Sequence, residues 1–83
     1  MSVTQALGRH AGDLVKVSAR NVFPGKIKKV VRGPVSTEVT IRIAKDVDVV
    51  SVITSHSARR LGLEKGQRAH AIIKADSVIV GVD

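Results

Sequence analysis

Cysteine is absent from the sequence of 83 residues, so disulfide bonds and thiolate metal ligands are excluded. A domain this small buries a limited core, and association with further copies is then the remaining way to enlarge it. No apolar run approaches the roughly 20 residues of a membrane-spanning helix. Residues 1–16 also lack the apolar stretch of a signal peptide. We therefore expect one domain in the cytoplasm, without a membrane partner.

Aromatic residues are almost as scarce, since Phe23 is the only one. Proteins that bind single-stranded nucleic acids usually stack bases on several aromatic rings. An OB-type nucleic-acid-binding module is therefore an alternative that the composition disfavours. The 14 basic and 7 acidic residues give a formal net charge of +7. This charge attracts anions in general, so it does not distinguish nucleic acids, membrane surfaces and small oxyanions as binding partners.

Patterns typical of catalysis or of metal-ion binding are missing as well. His10, His56 and His70 are too far apart in the sequence for a short ligand motif, and no cysteine joins them. We expect His70 to point outward from its strand. The sequence holds no paired carboxylates, no activated nucleophile and no glycine-rich phosphate loop. We expect neither an enzyme nor a metal-ion site.

Most of the chain follows the patterns of β-strands. Alternation is clearest in residues 37–44, where Val39 and Ile41 share one face. Ser55 and Gly62 fit the N-cap and the end of a short helix. The predicted elements are strands at residues 26–31, 37–44, 47–54, 68–74 and 77–82 and a helix at residues 55–61. This set indicates an all-β fold with one short helix, a five-stranded OB-like barrel.

Two of the predicted strands are apolar on both faces. In residues 47–54, valine or isoleucine occurs in both sets of alternate positions, and residues 77–82 show the same pattern. A strand with two apolar faces has to be covered on both sides, which is difficult within so small a chain. We therefore expect an oligomeric protein.

Two polar stretches lie where predicted strands begin or end. They are Ser18, Ala19, Arg20 and Asn21, and Lys74, Ala75, Asp76 and Ser77. Together they offer a guanidinium, an ammonium, hydroxyls and backbone N–H groups that a sheet does not fully use. Charge-assisted hydrogen bonds are the strong ones, so these donors can bind a small tetrahedral oxyanion. The sequence predicts one oxyanion site that both stretches form.

The same stretches carry a resemblance to a known family. Ser-Ala-Arg-Asn at residues 18–21, followed by Gly-Lys-Ile at residues 25–27, resembles the opening motif of molbindins. These are the Mop-type molybdenum-binding proteins of the TOBE/Mop domain family. Similar segments follow in the family's order at residues 33–39, 53–57, 61–63, 72–75 and 78–80. The resemblance covers residues 17–83 and leaves residues 1–16 outside it, as a leader that is flexible or forms a short helix.

The resemblance implies a protein that binds molybdate, with tungstate as a close mimic, for intracellular molybdenum storage or homeostasis. It also implies a homo-oligomer, a hexamer in this family, with sites shared between subunits. The oxyanion-binding residues that it implies are Ser18, Ala19, Arg20, Asn21, Thr54, Ser57, Lys74, Ala75 and Asp76. Two alternatives remain open: the molybdate-sensing domain of a larger regulator or transporter ATPase, and an assembly module that has lost its ligand.

Asp76 departs from the family pattern, in which serine or threonine is usual. A carboxylate beside a dianion costs binding energy, so either its side chain points away or the affinity is lower. A third possibility is that the carboxylate accepts a hydrogen bond from monohydrogen phosphate and changes the preferred ligand. Ser36 and Thr37 resemble a family segment near a second kind of site at subunit contacts. Their hydroxyls either bind an anion there or only cap a strand.

Overall fold

The computed structural model describes residues 18–83. Four strands form one antiparallel sheet in the spatial order β3-β2-β1-β4. A helix follows β3, a 3-10 turn follows β4, and no helix within residues 18–83 is long and apolar enough to cross a membrane. The fold is mostly β with one short helix, as the sequence predicts. The elements are β1 (Asn21–Arg32), β2 (Ser36–Ala44), β3 (Val47–Thr54), α1 (Ser55–Leu61), β4 (Arg68–Ile73) and the 3-10 turn (Ala75–Ser77). The predicted leader, residues 1–16, lies outside the described residues.

The longest strand, β1, joins the two halves of the sheet. Residues 21–26 pair with β4, and the pairing with β2 runs from Lys26 to Arg32, so Lys26 has a partner on both sides. The register against β2 shifts between Ile27 and Lys29, and such a bulge bends a strand and increases its twist. At Gly25 the strands come so close that a side-chain carbon would collide with the carbonyl oxygen of Arg42. Glycine at this position therefore permits the bend.

The start of β1 differs from the prediction, which placed the first strand at residues 26–31 with Pro24 at its entry. The strand instead begins at Asn21 and includes Pro24, which lies opposite His70 of β4. Proline contributes no N–H to a ladder. The β1–β4 pairing on both sides of Pro24 holds the strand without that bond.

The sheet curls so that its two edge strands approach each other. Ser51 and Ile53 of β3 and His70 and Ile72 of β4 line the same cleft on its concave face. Beneath this cleft lies the buried core, which consists of Ile27, Val39, Ile41 and Ala71. The burial of alternate residues in β2 confirms the face that the sequence predicts for that strand. The architecture is a curled half-barrel.

The fifth predicted strand, at residues 77–82, does not form within this chain. Residues 75–77 form the 3-10 turn, and residues 78–83 belong to no strand. Their apolar side chains are exposed, with Ile79 at 92% and Val82 at 91%. The prediction is wrong for the single chain because the segment lies away from the sheet after the turn. Residues 18–83 of a single chain therefore do not form the closed five-stranded barrel that the sequence predicts.

The start of α1 also differs from the prediction, since Thr54 rather than Ser55 is the N-cap. Thr54 Oγ1 accepts a hydrogen bond from the Ser57 N–H at 3.1 Å. Ser55 Oγ instead donates to the Gly33 carbonyl at 2.6 Å. Because that bond uses its only hydrogen, Ser55 accepts from Thr37 Oγ1, 2.7 Å away. The two hydroxyls tie α1 to the turn between β1 and β2.

Candidate functional site

The two polar stretches predicted to bind an oxyanion meet at one end of the sheet. Asn21, the first residue of β1, pairs with Ile73, the last residue of β4. The residues before β1 and after β4 are therefore neighbours, although they are far apart in the sequence. They line one depression of ≈ 380 Å³: Ser18, Ala19, Arg20, Lys74, Ala75 and Asp76. The depression contains all but three of the predicted site residues.

Two cationic side chains and one carboxylate border this depression. Arg20, Lys74 and Asp76 are all exposed, so water and salt screen their charges. A guanidinium can bind a tetrahedral anion through two parallel N–H groups, whereas an ammonium acts as a compact point charge. The net excess of positive charge favours an anion, and the carboxylate of Asp76 opposes it.

Backbone donors are available on the Lys74 side of the depression. In the 3-10 turn the Ser77 N–H donates to the Lys74 carbonyl at 2.9 Å. The N–H groups of Ala75 and Asp76 precede this first bond and so have no acceptor within the turn. Both residues line the depression. The second polar stretch thus supplies the kind of donors that the sequence predicts.

Asn21 holds the two stretches together and does not line the depression itself. Its Nδ2 donates to the Ile73 carbonyl at 3.1 Å. This bond links the start of β1 to the end of β4, directly beside the residues that carry Arg20 and Lys74. Asn21 therefore helps to hold together the two backbone segments that carry the cationic side chains.

Thr54 and Ser57 lie at the opposite end of the sheet. Thr54 pairs with Ser36 at the start of β2, beyond the end of β1. The 12 residues of β1 separate the two ends, which is roughly 36 Å for an extended strand. Thr54 Oγ1 also donates to Ser57 Oγ at 2.9 Å. One chain does not bring these hydroxyls to Arg20 and Lys74.

Two further polar residues, Thr37 and His70, are shielded from solvent at polar side-chain atoms. Thr37 is only 1% exposed and bonded to Ser55, so its hydroxyl is not open to an anion from solvent. His70 does not point outward, because it is half-buried and its Nε2 is buried without a hydrogen-bond partner among the described residues. The sheet curls so that β3 lies opposite β4 and shields His70. The alternation of polar and apolar residues along β4 cannot reveal that β3 lies nearby. Residues 18–83 contain no cluster of three or more side chains suited to a metal ion.

Comparison with known proteins points to the same family as the sequence motifs. Residues 17–80 match the TOBE domain family. Over 69 residues the chain is 42% identical to the molybdenum transport protein ModE of Herbaspirillum seropedicae. That match covers 83% of this chain and 26% of ModE, so the chain spans about a quarter of that relative's length. Over 69 residues it is 41% identical to a probable molybdenum-pterin-binding protein of Haemophilus influenzae, covering 83% of this chain and 100% of that protein.

Among solved structures, the fold resembles the cytoplasmic molybdate-binding protein ModG in a form with molybdate bound. The TM-score is 0.79 and the sequence identity 36%. The likeness covers 87% of this chain and 51% of the ModG chain. The family match, the fully covered relative and the shared fold confirm the resemblance drawn from the motifs. The chain belongs to the TOBE domain family and, within it, to the Mop-type proteins.

Proposed function

We propose that the protein binds molybdate, with tungstate as a close mimic, and serves intracellular molybdenum storage or homeostasis. The observation that carries this proposal is the meeting of Arg20 and Lys74, with the N–H groups of residues 75 and 76, in one depression. The names of the relatives support the ligand, since one is a probable molybdenum-pterin-binding protein. The similar ModG structure, described as cytoplasmic, holds molybdate.

The donor set suits an anion that only accepts hydrogen bonds. Guanidinium, ammonium and backbone N–H groups all donate. A fully deprotonated oxyanion such as molybdate, tungstate or sulfate satisfies each of them. Monohydrogen phosphate carries a hydroxyl that needs an acceptor, and Asp76 supplies the only carboxylate that lines the depression. The charge of Asp76 therefore bears on both the affinity and the choice of anion.

The site is proposed to be completed between subunits of a homo-oligomer, a hexamer by analogy with the family. Thr54 and Ser57 lie too far from Arg20 in one chain, so a second copy has to supply them. The hydroxyl hydrogen of Ser57 is not used in its bond with Thr54 and can be donated to an anion. The outer face of β3 supports association, because Val50 and Val52 are 57% and 67% exposed there.

A second candidate function is the oxyanion-sensing domain of a larger protein. The match to ModE favours it, since the chain corresponds to about a quarter of that protein. Full coverage of the Haemophilus influenzae relative favours a stand-alone binding protein. The size of the native protein, measured by immunoblotting of an extract of the host cell, distinguishes the two. A band at the size of the 83-residue chain supports storage, and a much larger band supports sensing.

Calorimetric titration with molybdate, with sulfate and phosphate as competitors, tests the binding proposal. We expect selective binding that weakens in Arg20→Ala and in Lys74→Ala. Each variant loses charge-assisted bonds of about 1.5–3 kcal/mol, which corresponds to a decrease of roughly ten- to more than one hundredfold. Lys45→Ala is the matched control, because Lys45 is an exposed cation in the turn between β2 and β3. Absence of heat with molybdate, or equal weakening in all three variants, contradicts a specific site.

A further inference from the structure

Three cationic residues lie side by side on neighbouring strands of the sheet. Lys26 of β1 is directly opposite Arg42 of β2 on one side and Arg68 of β4 on the other. All three residues are exposed. Neighbouring strands lie about 4.8 Å apart, so this row of cations extends over roughly 10 Å.

The row is joined by a further lysine on the convex face of the half-barrel. Ile27 and Ile41 belong to the buried core on the concave side. Successive side chains of a strand point to opposite faces, so Lys26, Lys28 and Arg42 project from the convex face. We call the four cations the outer cationic cluster: Lys26, Lys28, Arg42 and Arg68.

One carboxylate compensates only part of this charge. Asp48 of β3 lies opposite Arg42 and accepts hydrogen bonds from Arg42 Nε at 2.8 Å and from Lys28 Nζ at 2.9 Å. Within residues 18–83, the side chains of Lys26 and Arg68 have no hydrogen bond or ion pair. Like charges directly opposite each other on neighbouring strands are destabilising. The row is therefore unfavourable by itself, and a bound polyanion would relieve the repulsion.

The cluster is separate from the depression that Arg20 and Lys74 border. Lys26 is five residues along β1 from Asn21, and Arg68 begins β4 at the end away from Lys74. Five residues of an extended strand span about 17 Å. One small oxyanion therefore cannot contact both places, and the cluster needs a ligand of its own.

The extent of the cluster fits the phosphate backbone of a nucleic-acid duplex. Double-stranded DNA carries one negative charge for about each 1.7 Å of its axis, so several phosphates fall within the row. Proteins that bind single strands stack bases on aromatic rings, but Phe23, the one aromatic residue, packs against the core. Basic surfaces that bind membranes insert apolar side chains beside the charges, and the row of Arg68, Lys26 and Arg42 contains none.

We propose that the outer cationic cluster binds the phosphate backbone of double-stranded DNA without regard to base sequence. Contacts to phosphate position a protein on the duplex and read no bases. Four phosphate contacts give a slope of about −3.6 in a plot of log affinity against log salt, which is a loss of roughly 150-fold between about 50 and 200 mM. The inference goes beyond the proposed binding of molybdate and does not depend on it.

Fluorescence anisotropy of a labelled duplex of about 20 base pairs, titrated with the full chain over this salt range, tests the proposal. Lys26→Ala and Arg68→Ala are the informative variants, because removal of either side chain breaks no ion pair within residues 18–83. Each is expected to make the slope shallower by about 0.9, so that the loss over the same range falls to roughly 40-fold. A duplex that stays unbound at the lowest salt, or an unchanged slope in both variants, overturns the proposal.

Two control variants separate the cluster from the general positive charge of the chain. Arg60 is an exposed cation on α1, and Lys74 borders the depression. We expect Arg60→Ala and Lys74→Ala to leave the slope unchanged. If Arg60→Ala flattens the slope as much as Lys26→Ala does, the net charge of +7 attracts the duplex diffusely and the proposal fails. Tighter binding to vesicles of anionic phospholipid than to the duplex, at equal salt, overturns the choice of partner.

Discussion

Asp76 offers a direct test of the charge balance in the depression. The change to test is Asp76→Ser, with Asp76→Asn as a control that keeps the size of the side chain and removes its charge. Asp76 is exposed and lines the depression beside Lys74 and Ala75. Both variants remove the only carboxylate side chain that lines the depression.

The size of the effect follows from Coulomb's law in water. Two unit charges about 6 Å apart interact by about 0.7 kcal/mol at the dielectric constant of water, which suits an exposed group. For a dianion the repulsion by Asp76 is then about 1.4 kcal/mol. Its removal is expected to tighten molybdate binding roughly tenfold in both variants. The gain should shrink at high ionic strength, because salt screens exposed charges.

Calorimetry of both variants with molybdate and with phosphate, at low and at high salt, checks this reasoning. Screening alone predicts the same gain for both dianions, so the ratio of their affinities stays constant. If the carboxylate accepts a hydrogen bond from monohydrogen phosphate, that ratio shifts toward molybdate in Asp76→Ser. Unchanged molybdate affinity in both variants refutes the idea that Asp76 faces the anion.

Three further changes test the fold that positions the site. Ser55→Ala interrupts the buried hydroxyl pair, and urea unfolding is expected to show a loss of about 1–3 kcal/mol. Gly25→Ala forces a side chain against the carbonyl of Arg42, so we expect a loss of about 1–3 kcal/mol and a lower melting temperature. Hydrogen bonds from Arg42 and Lys28 lower the pKa of Asp48 to about 2. Asp48→Asn should therefore destabilise the protein at pH 7, and its deficit in unfolding free energy should vanish as the pH falls from about 4 through about 2. A deficit that is the same at pH 7 and at pH 2 contradicts this account of Asp48.

The periodicity of the sequence predicts the elements that follow one another directly in the chain, β2, β3 and α1. β3 and α1 occupy the predicted residues, and Ser36–Ala44 differs from the predicted strand by one residue. The choice between Thr54 and Ser55 as N-cap could not be made from the sequence. Both hydroxyls are good caps, and the carbonyl of Gly33 that engages Ser55 is distant in the sequence.

Features that depend on the curl of the sheet could not be predicted in this way. The burial of His70 depends on the approach of β3 to β4, which involves residues far apart in the chain. The apolar pattern of residues 78–82 predicts a segment that needs cover, and these side chains are exposed in the single chain. It cannot indicate that the segment lies away from its own sheet, because that depends on the 3-10 turn before it. For the site, the motif order located the two stretches that meet, whereas the placement of Thr54 at the far end follows only from the strand pairing.

The depression and the exposed apolar residues 78–83 are adjacent in the chain, and this couples the proposed anion binding to the proposed homo-oligomer. Lys74 and the 3-10 turn line the depression, and residues 78–83 begin directly after that turn. If residues 78–83 contact a second copy in the oligomer, an anion that binds the turn favours the oligomer over the monomer. At a free concentration of 100 times Kd, a ligand specific for one state stabilises it by about 2.7 kcal/mol per site. Molybdate at that concentration should then lower the dissociation constant of the oligomer about one hundredfold per bound anion, measured by sedimentation against sulfate at equal ionic strength. Unweakened molybdate binding by a monomeric Val80→Asp variant would show instead that the depression of one chain is sufficient and that ligand and assembly are independent.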